Sequence, residues 1–199
     1  MSKPKFPDWE ALYRDQDVEK MPWFTPDLDA DFSKVLKNFN LKNGHVLDLG
    51  TGPGTQAIAL AKLGFEVVAS DISDSAVRKA EVRAKQKGVL IHFVKDDILA
   101  TQLQGPFDII FDRGIFHVFP PGKRDAYVQN VTGLLKKGGS LLLKCFSDKE
   151  PPGEGPYRIS EAEIRRAFTP ALEILTLRES SFQGVRRPDP RALFCVLQK

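Results

Sequence analysis

The sequence predicts an α/β protein: a doubly wound, seven-stranded sheet, mostly parallel, with one antiparallel strand. Three observations carry this. Strand-like and helix-like segments alternate from His45 to Phe146, the pattern of a parallel sheet with helices on both faces. The first strand turns into its helix through Gly50, Gly52 and Gly54, glycines at alternate positions that allow positive φ and bare backbone at the turn. The chain ends in two apolar runs joined only by a loop, which suits an antiparallel pair.

Taken in order, residues 1–43 form a helical, aromatic-bearing arm. Trp9, Leu12 and Tyr13 recur at helical spacing, and Met21-Pro22-Trp23-Phe24-Thr25-Pro26 sets two aromatics between prolines. Asp31 to Phe39 reads as a helix leading to Gly44. His45 starts an apolar strand that passes through the glycines into a helix ending at Gly64. Glu66–Ile72 is the second strand, after which Ser73 caps a helix through Val77, Ala80 and Ala84 to Gly88. The third strand, Leu90–Lys95, ends in Asp96-Asp97, and the fourth, Phe107–Phe111, ends in Asp112-Arg113-Gly114. Lys123–Leu135 is a helix closed by Gly138-Gly139, and Leu141–Phe146 is strand five. Ser160-x-x-Glu163 is a capping box opening a helix that stops near Pro170. The last strands, Leu172–Leu177 and Ala192–Leu197, flank a loop with Phe182, Gly184, Arg186 and Arg187.

The 199 residues suit a single domain, 1–199, made of the arm and a core from residue 44. With 42% apolar and 28% charged residues the chain can bury a continuous core under an ordinary surface. Its net charge of +3 is spread without a basic block or helix face, so neither nucleic acid nor membrane is expected as partner. Cys145 and Cys195 fall in apolar strand-like runs and read as buried, inert thiols; no metal site is expected. No apolar run approaches a membrane span and no signal-peptide core is present, so a cytoplasmic location is expected.

The glycine turn narrows the ligand. A dinucleotide fingerprint needs Gly or Ala at the sixth position counted from Gly50, and Thr55 stands there. Asp48, two residues before the first glycine, completes a pattern that resembles motif I of class I S-adenosylmethionine (SAM) methyltransferases. That resemblance implies their Rossmann-like fold, SAM as cofactor and S-adenosylhomocysteine as product. Asp71, about twenty residues beyond the turn, is then placed to accept the ribose hydroxyls. Asp97, or its neighbour Asp96, takes the adenine amino group, with Ile98 against the ring. Asp48 lies under the loop, and Thr51 and Ile72 complete the cofactor set beside Gly50, Gly52, Gly54, Trp23 and Asp112.

Further segments narrow the family. FDIIFDRGIFHVFPPGKRDAYV, KKGGSLLLKCFS and GPYRISEAEIRRAF together resemble the thiopurine S-methyltransferase-like group, which includes thiol, halide and tellurite methyltransferases. In that group the Asp-Arg-Gly after strand four borders the methyl-transfer site, and its arginine is a proposed substrate contact. The residues are Asp112, Arg113 and Gly114 here. Asp112 and His117 are candidate bases, His117 equally reads as a packing residue, and Arg113 is able to hold an acidic substrate. Trp9 and Met21-Pro22-Trp23 look like the group's cap over SAM, and Trp23 with Phe24 is expected to face Phe116 and Phe119 across the mouth. The implied reaction methylates a small acceptor, a thiol or other soft nucleophile first; O- or N-methylation and a non-catalytic SAM-binding module are the alternatives. Thr55 and the lack of a Tyr-x-x-x-Lys argue against a nicotinamide oxidoreductase, and the lack of an Asp/Asn-Pro-Pro-aromatic motif argues against DNA-base methylation. A monomer or homodimer is expected.

Overall fold

The structure, a computed structural model, describes residues 7–199. Seven strands form one sheet: β1 (His45–Leu49), β2 (Glu66–Asp71), β3 (His92–Lys95), β4 (Phe107–Arg113), β5 (Leu135–Phe146), β6 (Glu173–Ser181) and β7 (Arg191–Gln198). Their order is β3-β2-β1-β4-β5-β7-β6. Only β7 runs against its neighbours β5 and β6, so the expected seven strands with one reversed are what the chain builds. β1 and β4 pair in parallel, which places the switch point of the sheet at their carboxyl ends.

The helices are α1 (Trp9–Asp15), α2 (Ala30–Asn38), α3 (Thr55–Lys62), α4 (Asp74–Gln86), α5 (Pro121–Leu134) and α6 (Glu161–Phe168). Side-chain alternation along the strands splits the core into two apolar layers. Leu47, Ile110, Leu143 and Cys195 face α5 and α6, while Val46, Phe111, Leu142 and Phe194 face α2 and α3. Both expected caps form: Ser73 accepts from Ala76 N–H, and Ser160 with Glu163 makes the reciprocal box. A smaller cluster, Tyr13, Val18, Met21 and Ala76, joins the arm to α4.

Some boundaries move. The helix expected at Lys123–Leu135 begins at Pro121, and Gly138-Gly139 do not close it; they lie inside β5, which starts at Leu135. The reason is local crowding: a Cβ on Gly139 would stand 3.0 Å from the Phe107 and Asp108 carbonyls, where the β4–β5 register shifts. β3 begins at His92 rather than Leu90, whose side chain is exposed. β4 continues past Phe111 to Arg113, which carries the strand-end residues to the rim of the sheet.

Candidate active site

β1 enters the glycine turn with Gly50, Gly52 and Gly54 at φ of +67°, +49° and +76°. Asp48, buried beneath, accepts hydrogen bonds from Thr51 Oγ1 (2.6 Å) and Ala57 N–H (3.1 Å), so it fixes the turn to the start of α3. Asp71, at the end of β2, accepts from Gly52 N–H (2.8 Å) and Ser73 N–H (2.9 Å). Burial lifts both carboxyls to about 6, and the same hydrogen bonds hold them from rising further. The space beside Gly50 is taken by Ile115, and a Cβ on Gly52 would meet Tyr13 Oη at 2.5 Å. Gly54 has a different reason: its missing Cβ lets Ala80 of α4 approach, and it does not line the cavity.

A cavity of about 440 Å³ opens over these carboxyl ends. Asp48, Gly50, Thr51, Gly52, Asp71, Ile72, Asp96, Asp97 and Ile98 line it, as do Arg113, His117 and Trp23. Two polar atoms of this wall, Ser70 Oγ and Asp96 Oδ2, are buried without a hydrogen-bond partner. Their cost is removed by a polar ligand, so the residues fit a nucleoside-bearing cofactor. The other Asp96 oxygen accepts from Gln102 N–H, while the more exposed Asp97 caps the short turn Ile98–Ala100 through Leu99 N–H.

The arm roofs the cavity with Trp9, Leu12, Tyr13, Pro22 and Trp23. Trp9 meets Trp23 edge-on at 5.9 Å, and Trp23 Nε1 donates to Tyr13 Oη at 3.2 Å. Glu10 holds α1 down: it accepts from Ser75 Oγ and N–H and from Ser73 Oγ, which brings its carboxyl to about 2. The expected pairing of aromatics across the mouth changes. Phe24 turns away beneath Arg83, and Phe116 is fully buried against Tyr127 and Phe168 because that turn points into the α5–α6 layer. Phe119, Phe146 and Phe182 supply the opposite wall.

The segment after β4 overturns further expectations. Asp112 is fully buried and absent from the cavity wall. It accepts from Gly114, Ile115 and Phe116 N–H and, at 2.5 Å, from Tyr127 Oη. Burial raises its carboxyl to about 6 against those donors, but its oxygens are committed to holding the turn. Its carboxylate thus faces its own turn and not the cavity expected of a base or cofactor contact. Arg113 is similarly committed: Nε donates to Asp29 (3.0 Å), Nη1 to the Trp23 carbonyl (3.1 Å) and Nη2 to the Gln183 carbonyl. It clasps the arm to the β6–β7 loop, which engages three of its five N–H donors.

His117 lines the cavity, yet its Nδ1 accepts the Phe146 N–H at 2.9 Å. That bond puts the ring proton on Nε2, and burial lowers the imidazole to about 3. Such a ring is a neutral N–H donor whose lone pair is engaged.

Sequence reasoning missed Asp29, Asp31 and Lys144. Lys144 is buried on β5, with Nζ 2.6 Å from both Asp29 and Asp31, and Arg178 pairs with Asp31. The available signal was a lysine inside the apolar run LLLKCF.

This architecture is matched by known proteins. The thiopurine S-methyltransferase family model fits residues 5–195. The chain belongs to this family. A probable thiol methyltransferase 2 of Arabidopsis thaliana is 28% identical over 172 residues, 85% of this chain and 75% of that protein. A structure from work on the conversion of a disulfide bond into a thioacetal group during echinomycin biosynthesis superposes with a TM-score of 0.84 at 24% identity. It covers 96% of this chain and 90% of its own. A Synechocystis magnesium protoporphyrin IX methyltransferase with bound SAM gives a TM-score of 0.69 at 25% identity, over 86% of this chain and 77% of that one. This methyltransferase therefore has the class I, Rossmann-like fold and transfers the methyl group of SAM to a small-molecule acceptor. Among the described residues, no helix is long and apolar enough to cross a membrane.

Proposed function

We propose that the acceptor is a soft nucleophile that enters already electron-rich, a thiol in its thiolate form above all. The observation that carries this is the state of the two groups after β4. Asp112 is saturated by four donors and His117 has its only lone pair tied to Phe146 N–H, so neither takes a proton from an acceptor. A hydroxyl or amine acceptor more often needs such a base, whereas a thiol near neutrality is already a few per cent thiolate. SAM supplies an electrophilic methyl on a sulfonium. The chain's part is to orient the reactants and exclude water, with Trp23, Phe119 and Phe182 closing the cavity. Interspersed charge along the chain supports action without nucleic acid, and the reading takes the chain as one domain that works in the cytoplasm as monomer or homodimer.

If the thiolate reading holds, rate against pH, measured with thiols of graded acidity, inflects at each acceptor's own pKa. A single inflection shared by all acceptors would mean that a protein base sets the rate, and the reading would fail.

Within the cofactor half, Asp71 takes the ribose, Asp96 or Asp97 with Ile98 the adenine, and the Asp48–Gly52 turn the methionine end. The Asp71 oxygens accept from the backbone N–H groups of Gly52, Ser73 and Ile72 and keep a lone pair for a ribose hydroxyl. Asp71→Ala should weaken S-adenosylhomocysteine binding by about 1.5–3 kcal/mol, the worth of charge-assisted hydrogen bonds. Calorimetry that returned wild-type affinity would move the ribose elsewhere.

A further inference from the structure

His117 has one unused function. Its side chain is 5% exposed, held by Phe146 N–H on one side and flanked by the rings of Phe146 (4.9 Å) and Phe182 (5.6 Å). Among the described residues no acceptor meets the proton on Nε2, and His117 lines the cavity. Beside it lies Gly114, at φ +104°, where a Cβ would stand 3.2 Å from Nε2 and cover it. An N–H donor at a cavity wall with no acceptor from its own chain is free to bond a ligand there. The side chains of Asp112 and Arg113 are committed to the turn and the clasp.

We propose that His117 Nε2–H holds the acceptor, donating a hydrogen bond to its nucleophilic sulfur and so favouring the thiolate within a box made by Phe146 and Phe182. The inference rests on the thiolate reading above and names the residue that selects that form. As an N–H donor that stays neutral down to about pH 3, the ring does not change its charge over the working range. The charged groups around it are largely paired with one another, Arg113 and Lys144 with Asp29 and Arg124 with Glu163. Arg113 and Lys144 approach the Phe182 ring at 5.5 and 6.0 Å, Arg124 approaches the Phe116 ring at 5.5 Å, and Glu154 and Arg186 line the same cavity. In the reaction the acceptor gives its proton to solvent on binding. The new bond joins its sulfur to the methyl carbon; the bond from that carbon to the sulfonium sulfur breaks, and the departing thioether keeps the electron pair. His117 keeps its proton throughout.

The test uses 4-nitrothiophenol, whose thiolate is coloured, bound to the full chain with S-adenosylhomocysteine in place, so that no turnover occurs. The bound thiol should titrate at least about one unit below the free thiol, since a hydrogen bond to the charged form favours it. His117→Phe, which keeps a flat ring without the donor, should remove that shift, and His117→Gln should restore part of it. A thermal melt accompanies each variant, because both disturb the partner of Phe146 N–H. The wild-type chain gives a second measure: with ¹⁵N-labelled histidine, the Nε2 proton should move downfield when the probe binds. Binding with an unshifted thiol and an unmoved proton overturns the His117 assignment alone. A probe that does not bind overturns the thiolate reading and this assignment with it.

Discussion

Replacing Asp29 by alanine should destabilise the fold by about 3–5 kcal/mol, lowering the denaturation midpoint without changing the slope. Asp29 is fully buried at the N-cap of α2, where it accepts from Lys144 Nζ, Arg113 Nε and Asp31 N–H. Removing its carboxylate leaves two cations in the interior with fewer partners, and desolvated charge is what makes such deletions severe. The same change loosens the clasp, because Arg113 then holds the Trp23 and Gln183 carbonyls without the ion pair that fixes its orientation. Cofactor affinity should therefore fall along with stability. Adding Lys144→Met to Asp29→Ala should recover part of the loss, since an apolar chain replaces a stranded ammonium. A single variant that melts with the wild type would show the cluster to be solvated and of little weight. Acid should act on the same latch. Burial tends to raise Asp31, but bonds from Lys144, Ser180 and Arg178 bring its carboxyl to about 2. A depressed acid contributes stability that is fully present above about pH 4 and lost as pH falls through about 2.

The fold was legible because its signals are local. Parallel strands buried on both faces show as apolar runs, and Ser73 and the Ser160–Glu163 box mark helix starts within a few residues. The glycine turn was legible as a turn, yet the sequence could not separate its parts: Gly50 and Gly52 border the cavity while Gly54 admits α4. Gly138-Gly139 misled for the same reason, as a glycine pair reads as a helix stop until the neighbouring carbonyls of β4 are in place. Asp112 shows the harder limit. An acid ending a strand looks identical whether it faces a ligand or its own turn, and here Tyr127, on a later helix, decides it. The Asp29–Lys144 pair joins the arm to β5 across 115 residues, so only the misplaced lysine hinted at it.

Removing residues 1–28 should leave the sheet folded yet lower turnover by roughly 10²-fold or more. One core layer begins at Leu47 and the other at Phe32, so the truncation deletes the satellite cluster around Tyr13, Val18 and Met21 and, from the main layers, only the partly buried Leu28. It does remove ties to the remainder: Glu10 at the start of α4, the Trp23 carbonyl under Arg113, and the Pro22 carbonyl that accepts Val185 N–H. A lower melting temperature is therefore expected, with cooperative unfolding retained. The rate suffers more, because Trp9, Leu12, Tyr13, Pro22 and Trp23 form the roof that keeps water out and holds the reactants in line. Residues 1–6 lie outside the described part, and the ties and roof residues named here all fall within residues 7–28. Trp23→Ala alone should show a smaller loss of the same kind, since Tyr13 still covers Gly52 once its bond from Nε1 is gone. Single-turnover methyl transfer beside a thermal melt on one preparation separates the two effects. Wild-type turnover by a truncated chain would reduce the arm to packing and leave the roof to the loop from Phe182 to Pro190, which lines the cavity from the other side.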